Sequence, residues 1–370
     1  MNADKLNIRI ISAFTGAHLR FQSSGERMLK RWQFWIGVLL SIAFSYYALM
    51  HLQLEKVWGA LSKFQLLWLI PAVTVYFAAV FLRTYRWHYL LRHMQSVPVS
   101  QLFPVVTIGY MGNNVYPFRA GEVIRAYVLK RKTKVSGSAS LATIVVERIF
   151  DGLTMLTFVF AIIPFVPAAA RFRSTLAVTS VLFFGALAAF FLIVSSPQRT
   201  ERIYAWFVSQ LVPARFRDQV RGILDKFLVG LQVLRRGRDL LLVFGISILL
   251  WLTEAGKYWF VMQGFHQAGV AIDVPFHALV FTTALVNLAT SIPLPTIGYI
   301  GPFEVVGKET MMLFGVGQEI ALGFMLVLHA ALWFPITLLG FYYMARESIS
   351  WNELSTVQLE HDQRLIKEKP

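Results

Sequence analysis

Long runs without a single Asp, Glu, Lys or Arg govern what this chain can become. Residues 33–54, 64–82, 174–198 and 321–344 are four such runs. A helical bilayer crossing takes about 20 predominantly apolar residues. Two further stretches are nearly as apolar: 149–170 with the single acid Asp151, and 240–265 with Glu254 and Lys257. Backbone in lipid must satisfy its own polar groups, so runs of this length fold as helices. Composition agrees. Of 370 residues, 56% are hydrophobic and 15% charged, against about a quarter charged in soluble domains. The expected fold is an all-α polytopic membrane protein with about six full transmembrane helices.

Two other apolar stretches, 100–118 and 274–303, are interrupted by Pro, Gly and Asn. Loop charge decides how they run, because Lys and Arg gather on the cytoplasmic side. Lys5, Arg9, Arg20, Arg27, Lys30 and Arg31 precede the first run. Arg83, Arg86 and Arg92 follow the second, and Lys130, Arg131, Lys132 and Lys134 come after the first interrupted stretch. A basic loop on both sides of 100–118 requires that segment to enter and return on one face. The same count sends 274–303 in from the other face. The expectation is therefore two opposed re-entrant helical hairpins, about 100–130 and 274–317, compatible with an inverted repeat; the alternative, kinks in two ordinary spans, would put a basic loop outside. Residues 1–32 form a cytoplasmic N-terminal segment, 33–345 the transmembrane domain and 346–370 a cytoplasmic tail. The basic stretch 199–239, with Val220, Ile223, Phe227, Leu231 and Leu234 at helical spacing, reads as an amphipathic cytoplasmic loop or as a helix packed under the bundle. The polar, basic start reads as no cleavable leader, and both termini are expected on the cytoplasmic side of an inner membrane.

The formal charge of +15 follows from this topology and calls for no nucleic-acid partner. The chain has no Cys, which excludes thiolate chemistry and disulfides. No metal-ligand constellation and no G-x-x-x-x-G-K-[ST] nucleotide loop is present, so no cofactor is expected.

Ionisable residues inside spans are expensive and mark functional sites by default. Around the first break these are Arg119, Glu122 and Arg125. Glu147, Arg148 and Asp151 open the third full span, Glu254 and Lys257 sit mid-span, Glu304 follows the second break, and His329 lies in the last span. Asn114 and Gly121 flank the first break. Glu147, Arg148 and Asp151 share neighbouring helix faces. They either pair locally or hold the hairpin arginines in place. Guanidinium groups match phosphate with a planar fork and stay charged. Gly121 permits close approach, and the amides that open the second hairpin arm would add partial positive charge. The expected ligand is an anionic head group, bound by Asn114, Arg119, Gly121, Glu122, Arg125 and Arg148. Glu147, Asp151, Glu254, Lys257 and Glu304 would orient these or carry coupling protons. Arg83 and Arg86, beside Trp87, read as an inner flank or an interfacial phosphate site.

The run Asn114-Val-Tyr-Pro-Phe-Arg-Ala-Gly-Glu-Val-Ile-Arg-Ala126, then Val146-Glu-Arg-Ile-Phe-Asp151, then Pro293 through Gly298 and Gly301 to Glu304, resembles the flippase-like transmembrane region of lysylphosphatidylglycerol synthetases. In the third motif Thr296-Ile-Gly-Tyr299 replaces a glycine-rich core. The resemblance covers about residues 30–345. It implies a protein that moves lipids between leaflets, without the soluble aminoacyltransferase domain of the two-part synthetases. The implied partner is a membrane lipid, and a homodimer is compatible with it. The expected protein is not an enzyme. The alternatives are an intramembrane lipid-modifying enzyme and a docking partner of a glycosyltransferase.

Overall fold

In a computed structural model the described residues are 32–50, 52–116, 119–168, 173–194, 237–292, 296–350 and 353–354. The expected N-terminal segment, most of the 199–239 loop and most of the tail lie outside them. Among the described residues there are helices and no strand: α1 (Trp32–Leu49), α2 (Leu54–Lys63), α3 (Leu69–Leu91), α4 (Val99–Val115), α5 (Gly121–Lys132), α6 (Gly137–Ile162), α7 (Arg173–Val194), α8 (Gly237–His266), α9 (Phe276–Ser291), α10 (Pro302–Met312) and α11 (Gln318–Arg346). The protein is an all-α, multi-pass membrane protein.

Among the described residues, four helical segments meet the length and composition of a membrane crossing: Leu66–Leu91, Ala139–Phe165, Gly237–His266 and Gln318–Arg346. Of the other two expected spans, the first apolar run turns by 92° between Val38–Leu49 and Leu54–Lys63. Helix α7 is a 22-residue helix that carries no charged residue after Arg173 at its start.

Local sequence sets the element ends. Ser136 caps α6 by accepting from the Ala139 amide at 3.2 Å, which satisfies a donor that the first turn leaves orphaned. Pro302 opens α10, where its missing N–H is harmless. Arg119, Tyr299, Gly298 and Gly301 all take positive φ and make the sharp reversals at the two breaks.

The reversals produce two hairpins. At about 1.5 Å per residue, the 17-residue α4 and 12-residue α5 are each too short for a ~30 Å hydrocarbon core. So are α9 and α10, with 16 and 11 residues. The first hairpin starts and ends on one face. Its Lys134 amide donates to Gln95 Oε1 at 3.1 Å, and Lys132 pairs with Glu347 at 2.7 Å, just past α11. The second starts and ends at the opposite end of α3 and α8. There Phe314 packs on His277 and Phe281, with centroids 6.2 and 5.9 Å apart, near where the Gln65 amide donates to the Gly264 carbonyl at 3.1 Å. The tips meet: Arg119 Nη1 donates to the Thr290 carbonyl at 2.8 Å.

The packing is two-fold. Helix α3 lies against α8. Every other contact within α3–α6 has its counterpart within α8–α11: α4 on α5 and α9 on α10, α5 on α6 and α10 on α11. Contacts between the halves also come in pairs, α4 on α11 with α9 on α6, and α3 on α11 with α8 on α6. Such repeats place a binding site at their interface.

Small residues let the first hairpin close. A Cβ on Gly121 would collide with the Gly109 carbonyl and lie 2.6 Å from Asn113 Oδ1, and one on Gly112 would lie 2.6 Å from Ile124. Without a hydrophobic drive between helices in lipid, this close van der Waals approach is what joins α4 to α5.

The topology has a direct check, because the chain has no native Cys. Single cysteines at Arg92 and Lys130 are expected to react with an impermeant thiol reagent from one side of the membrane. Cysteines at Gln65 and His277 are expected to react only from the other. Lys130→Cys reacting from the side of Gln65→Cys would rule out a re-entrant first hairpin.

Candidate functional site

A cavity of about 130 Å³ lies where the tips meet, and it draws on both halves. Hairpin residues Tyr110, Asn114, Arg119, Glu122 and Arg125 face Asn287, Thr290 and Tyr299 across it. Helix α3 contributes Tyr76 and Arg83, α6 contributes Arg148, α8 contributes Trp251, Glu254 and Lys257, and α11 contributes His329 and Trp333.

Behind the lining runs a buried ion network. Asp151 holds three guanidiniums: Arg86 at 2.7 Å, Arg148 at 3.3 Å and Arg83 at 3.5 Å. It also accepts from Trp251 Nε1 at 2.8 Å. Glu147, wholly buried, takes Arg125 at 2.9 Å and Arg86 at 3.7 Å. Glu122 joins Arg119 at 3.2 Å to Arg148 at 3.6 Å. Glu254 binds Lys257 and lies 3.8 Å from Arg83. Unpaired charges would not survive at this depth, and each network member has an opposite partner. The count is nevertheless uneven. Arg83, Arg86, Arg119, Arg125, Arg148 and Lys257 face four carboxylates, Glu122, Glu147, Asp151 and Glu254, so the network carries a surplus of two positive charges.

These cations differ in how firmly they are held. Arg125 is tied to Glu147 and stacked over the Trp87 ring at 4.1 Å. Arg119 spends its donors on the Thr290 carbonyl and Glu122. Arg83 makes the longest ion pairs: its contacts to Asp151 and Glu254 are 3.5 and 3.8 Å, and its Nε, like those of Arg86, Arg125 and Arg148, has no hydrogen-bond partner. It lines the cavity with its guanidinium 4.9 Å from the Trp251 ring and 5.6 Å from that of Tyr110. The buried Nε1 of Trp333 also has no acceptor. A cavity with spare N–H donors and net positive charge is built to receive an anion.

Of the expected site residues, Asn114, Arg119, Glu122, Arg125, Arg148, Glu254 and Lys257 line the cavity, whereas Gly121, Glu147, Asp151 and Glu304 do not. Asn114 faces the cavity, and its Nδ2 donates to Thr337 Oγ1 at 2.8 Å. The Gly121 amide, expected to face an anion, donates instead to Asn113 Oδ1 at 2.8 Å. The reason is the tight α4–α5 packing, which sets Gly121 on Gly109. Among the α6 residues, Arg148 pairs locally with Asp151 while Glu147 holds Arg125. Arg83 and Arg86 are no inner flank. Helix α3 continues to Leu91 and buries them to 4% and 0% exposure, where Asp151, Glu147 and Glu254 compensate them. The sequence signal was available: no Gly or Pro stands between Leu82 and Pro98 to end the helix.

The second half has its own pair. His329 Nδ1 contacts Glu304 Oε1, and Nε2 lies 2.9 Å from the Gly298 carbonyl. Glu304 Oε2 accepts from the Gly301 amide at 2.7 Å. In sequence, Glu304 lies as far beyond Glu122 as His329 lies beyond Glu147.

The three motifs that build the tips and the network fall inside a match to the lysylphosphatidylglycerol synthase TM region family, residues 34–340. The chain belongs to this family. The chain is similar to a UPF0104 membrane protein of Methanothermobacter thermautotrophicus, 28% identical over 65% of this chain and 73% of that protein. A second, from Methanocaldococcus jannaschii, is 26% identical over 63% of this chain and 94% of its own length. A protein named glycosyltransferase AglD, of Haloferax volcanii, is 22% identical over 75% of this chain and 48% of its own length. No solved structure matches. Membership and these relatives point to a lipid-related role in a membrane.

Proposed function

We propose that the protein moves a lipid with an anionic head group, a phospholipid or a polyprenyl-phosphate-linked glycolipid, between the leaflets of an inner membrane. The observation that carries this reading is the surplus of two buried cations around a cavity where two opposed hairpin tips meet. Irregular backbone at membrane depth is tolerated where it lines such a cavity. Paired broken helices mark midplane sites in transporters. The head group would enter between the tips and take hydrogen bonds from Arg83 and Trp333. The acyl or prenyl chains would stay in lipid. Alternating release of one hairpin and then the other would open the cavity to one leaflet at a time. This reading needs no cofactor and makes no chemical bond. It keeps both termini cytoplasmic and leaves room for a homodimer.

The match to part of a protein named a glycosyltransferase supports a competing reading, a lipid-modifying enzyme or its docking partner. One experiment separates them. Purified protein is reconstituted into vesicles with fluorescent phosphatidylglycerol, a fluorescent polyprenyl phosphate or fluorescent phosphatidylcholine. Loss of fluorescence to an impermeant quencher then reports movement. We expect an anionic probe to move faster than in empty vesicles and faster than phosphatidylcholine. A new lipid species without movement would favour the enzyme, and no difference from empty vesicles would contradict the translocase.

A further inference from the structure

The Glu304–His329 pair is not used in recognising the head group, and its geometry is unusual. Both ring nitrogens of His329 face acceptors: a carboxylate oxygen of Glu304 at Nδ1 and the Gly298 carbonyl at Nε2. A neutral imidazole has one N–H and one lone pair. It can serve only one of these contacts, and its lone pair then faces an oxygen at the other. One additional proton on the pair removes the conflict. Whether it rides on the ring, as imidazolium beside carboxylate, or on Glu304, as a carboxylic acid donating to Nδ1, both contacts become hydrogen bonds. The arrangement fits a pair that holds one proton.

What that proton secures is the second hairpin tip. Gly298, whose carbonyl His329 holds, has φ of 58° and lies against the tip of the first hairpin: a Cβ there would sit 3.0 Å from the Asn114 carbonyl. Glu304 also holds the Gly301 amide at the other end of the same reversal. Both ends of the tip are therefore fastened to one pair, the Gly301 end through the Glu304 carboxylate and the Gly298 end through the shared proton. His329 lines the cavity, so the pair's charge is also felt by whatever binds there. Protonated, the pair is neutral and the surplus of two cations stands. Deprotonated, it carries one negative charge and halves that surplus.

We infer that Glu304 and His329 form a proton site coupled to the head-group site, taking up one proton with the anion and releasing it with the anion. This rests on the translocase reading. Coupling of two ligands is reciprocal: a proton that favours the anion is itself favoured by the anion. The proton enters and leaves as H⁺, with no bond of the lipid made or broken. The surrounding charges are compatible with this. Helix α3 presents Tyr76 and Arg83 to the same cavity, α4 presents Tyr110, and the tip presents Tyr299. From α8 come Tyr258 and the mutually paired Glu254 and Lys257. On α10, Lys308 pairs with Glu309 at 3.2 Å and lies 5.9 Å from the Tyr47 ring of α1. On α2 and α9, Glu55, Lys56, Lys63 and His277 are exposed. Among these described groups, none but Glu304 pairs with His329.

The test reads the tip directly. Thr296 is buried at its start, and Thr296→Cys supplies the only thiol in the chain. Its rate of labelling by a water-soluble maleimide is compared with the same cysteine in a His329→Gln background, which cancels the thiol's own titration. Between about pH 5.5 and about pH 8.5, which bracket the usual histidine range, the ratio is expected to rise about tenfold as the tip is released. A ratio that stays flat overturns the proton site, whether or not lipid moves. In vesicles, an imposed pH gradient is expected to change the rate of fluorescent phosphatidylglycerol movement several-fold for the wild-type chain and not for His329→Gln. Wild-type movement that ignores the gradient overturns the coupling and leaves the translocase standing. Vesicles with no movement overturn the translocase, while the labelling ratio still decides the proton site.

Discussion

Asp151→Ala is expected to be the most damaging single substitution in this protein. Asp151 is 5% exposed and faces Arg83, Arg86 and Arg148 while accepting from Trp251. Removing it raises the surplus of buried positive charge from two to three. Breaking one buried ion pair costs about 3–5 kcal/mol, and here three guanidiniums lose their shared partner. In detergent, the unfolding midpoint should fall by roughly 10 °C or more, or the protein should fail to accumulate. Asp151→Asn keeps the size and one acceptor and should fall between. Thermal unfolding followed by size-exclusion chromatography measures this, and an unchanged midpoint for Asp151→Ala would mean that the network does not hold the helices together.

Arg83→Gln should behave in the opposite way. Arg83 belongs to the same network, yet its departure leaves each acid with a cation: Asp151 keeps Arg86 and Arg148, and Glu254 keeps Lys257. The fold should survive. The anion loses the cavity-lining guanidinium with the longest ion pairs, and with it a charge-assisted hydrogen bond worth about 1.5–3 kcal/mol. Movement of the anionic probe should slow by roughly ten- to a hundredfold, with little change in unfolding midpoint. Arg83→Lys should not restore it fully, because an ammonium lacks the planar fork. A normal rate in Arg83→Gln would move the anion site elsewhere in the cavity.

The contrast between these two residues shows what a sequence can and cannot disclose. The charge-free runs at 64–82 and 321–344 announced helices, because lipid leaves the backbone no other option. The broken stretches were legible too, from basic loops flanking 100–118 and from the Gly, Pro and Asn residues around Gly121 and Gly301, though from sequence alone they could also be kinks in ordinary spans. What stayed hidden is the pairing. Arg83 and Arg86 looked like an interfacial flank because a local window sees Arg next to a span's end. Only the tertiary arrangement brings Asp151, 65 residues on, to 2.7 Å from Arg86. Arg125 looked free for a ligand, and the fold commits it to Glu147. The aromatic lining, Tyr110, Trp251 and Trp333, carried no signal in a chain with aromatics throughout its spans. His329 read only as an ionisable residue inside the last span, and the facing Gly298 carbonyl became visible only once the second tip was placed.

The central claim is that an anionic head group sits between the two hairpin tips. The most direct measurement uses a phosphatidylglycerol analogue with a photoreactive group in its head group, reconstituted with the protein, irradiated, and mapped by mass spectrometry of the peptides. The account predicts adducts at cavity residues such as Tyr110, Tyr299 or Trp333, suppressed by excess phosphatidylglycerol and lost in Arg83→Gln. Adducts confined to outward-facing residues such as Leu39, Ile70 and Leu338, and untouched by competitor, would contradict it.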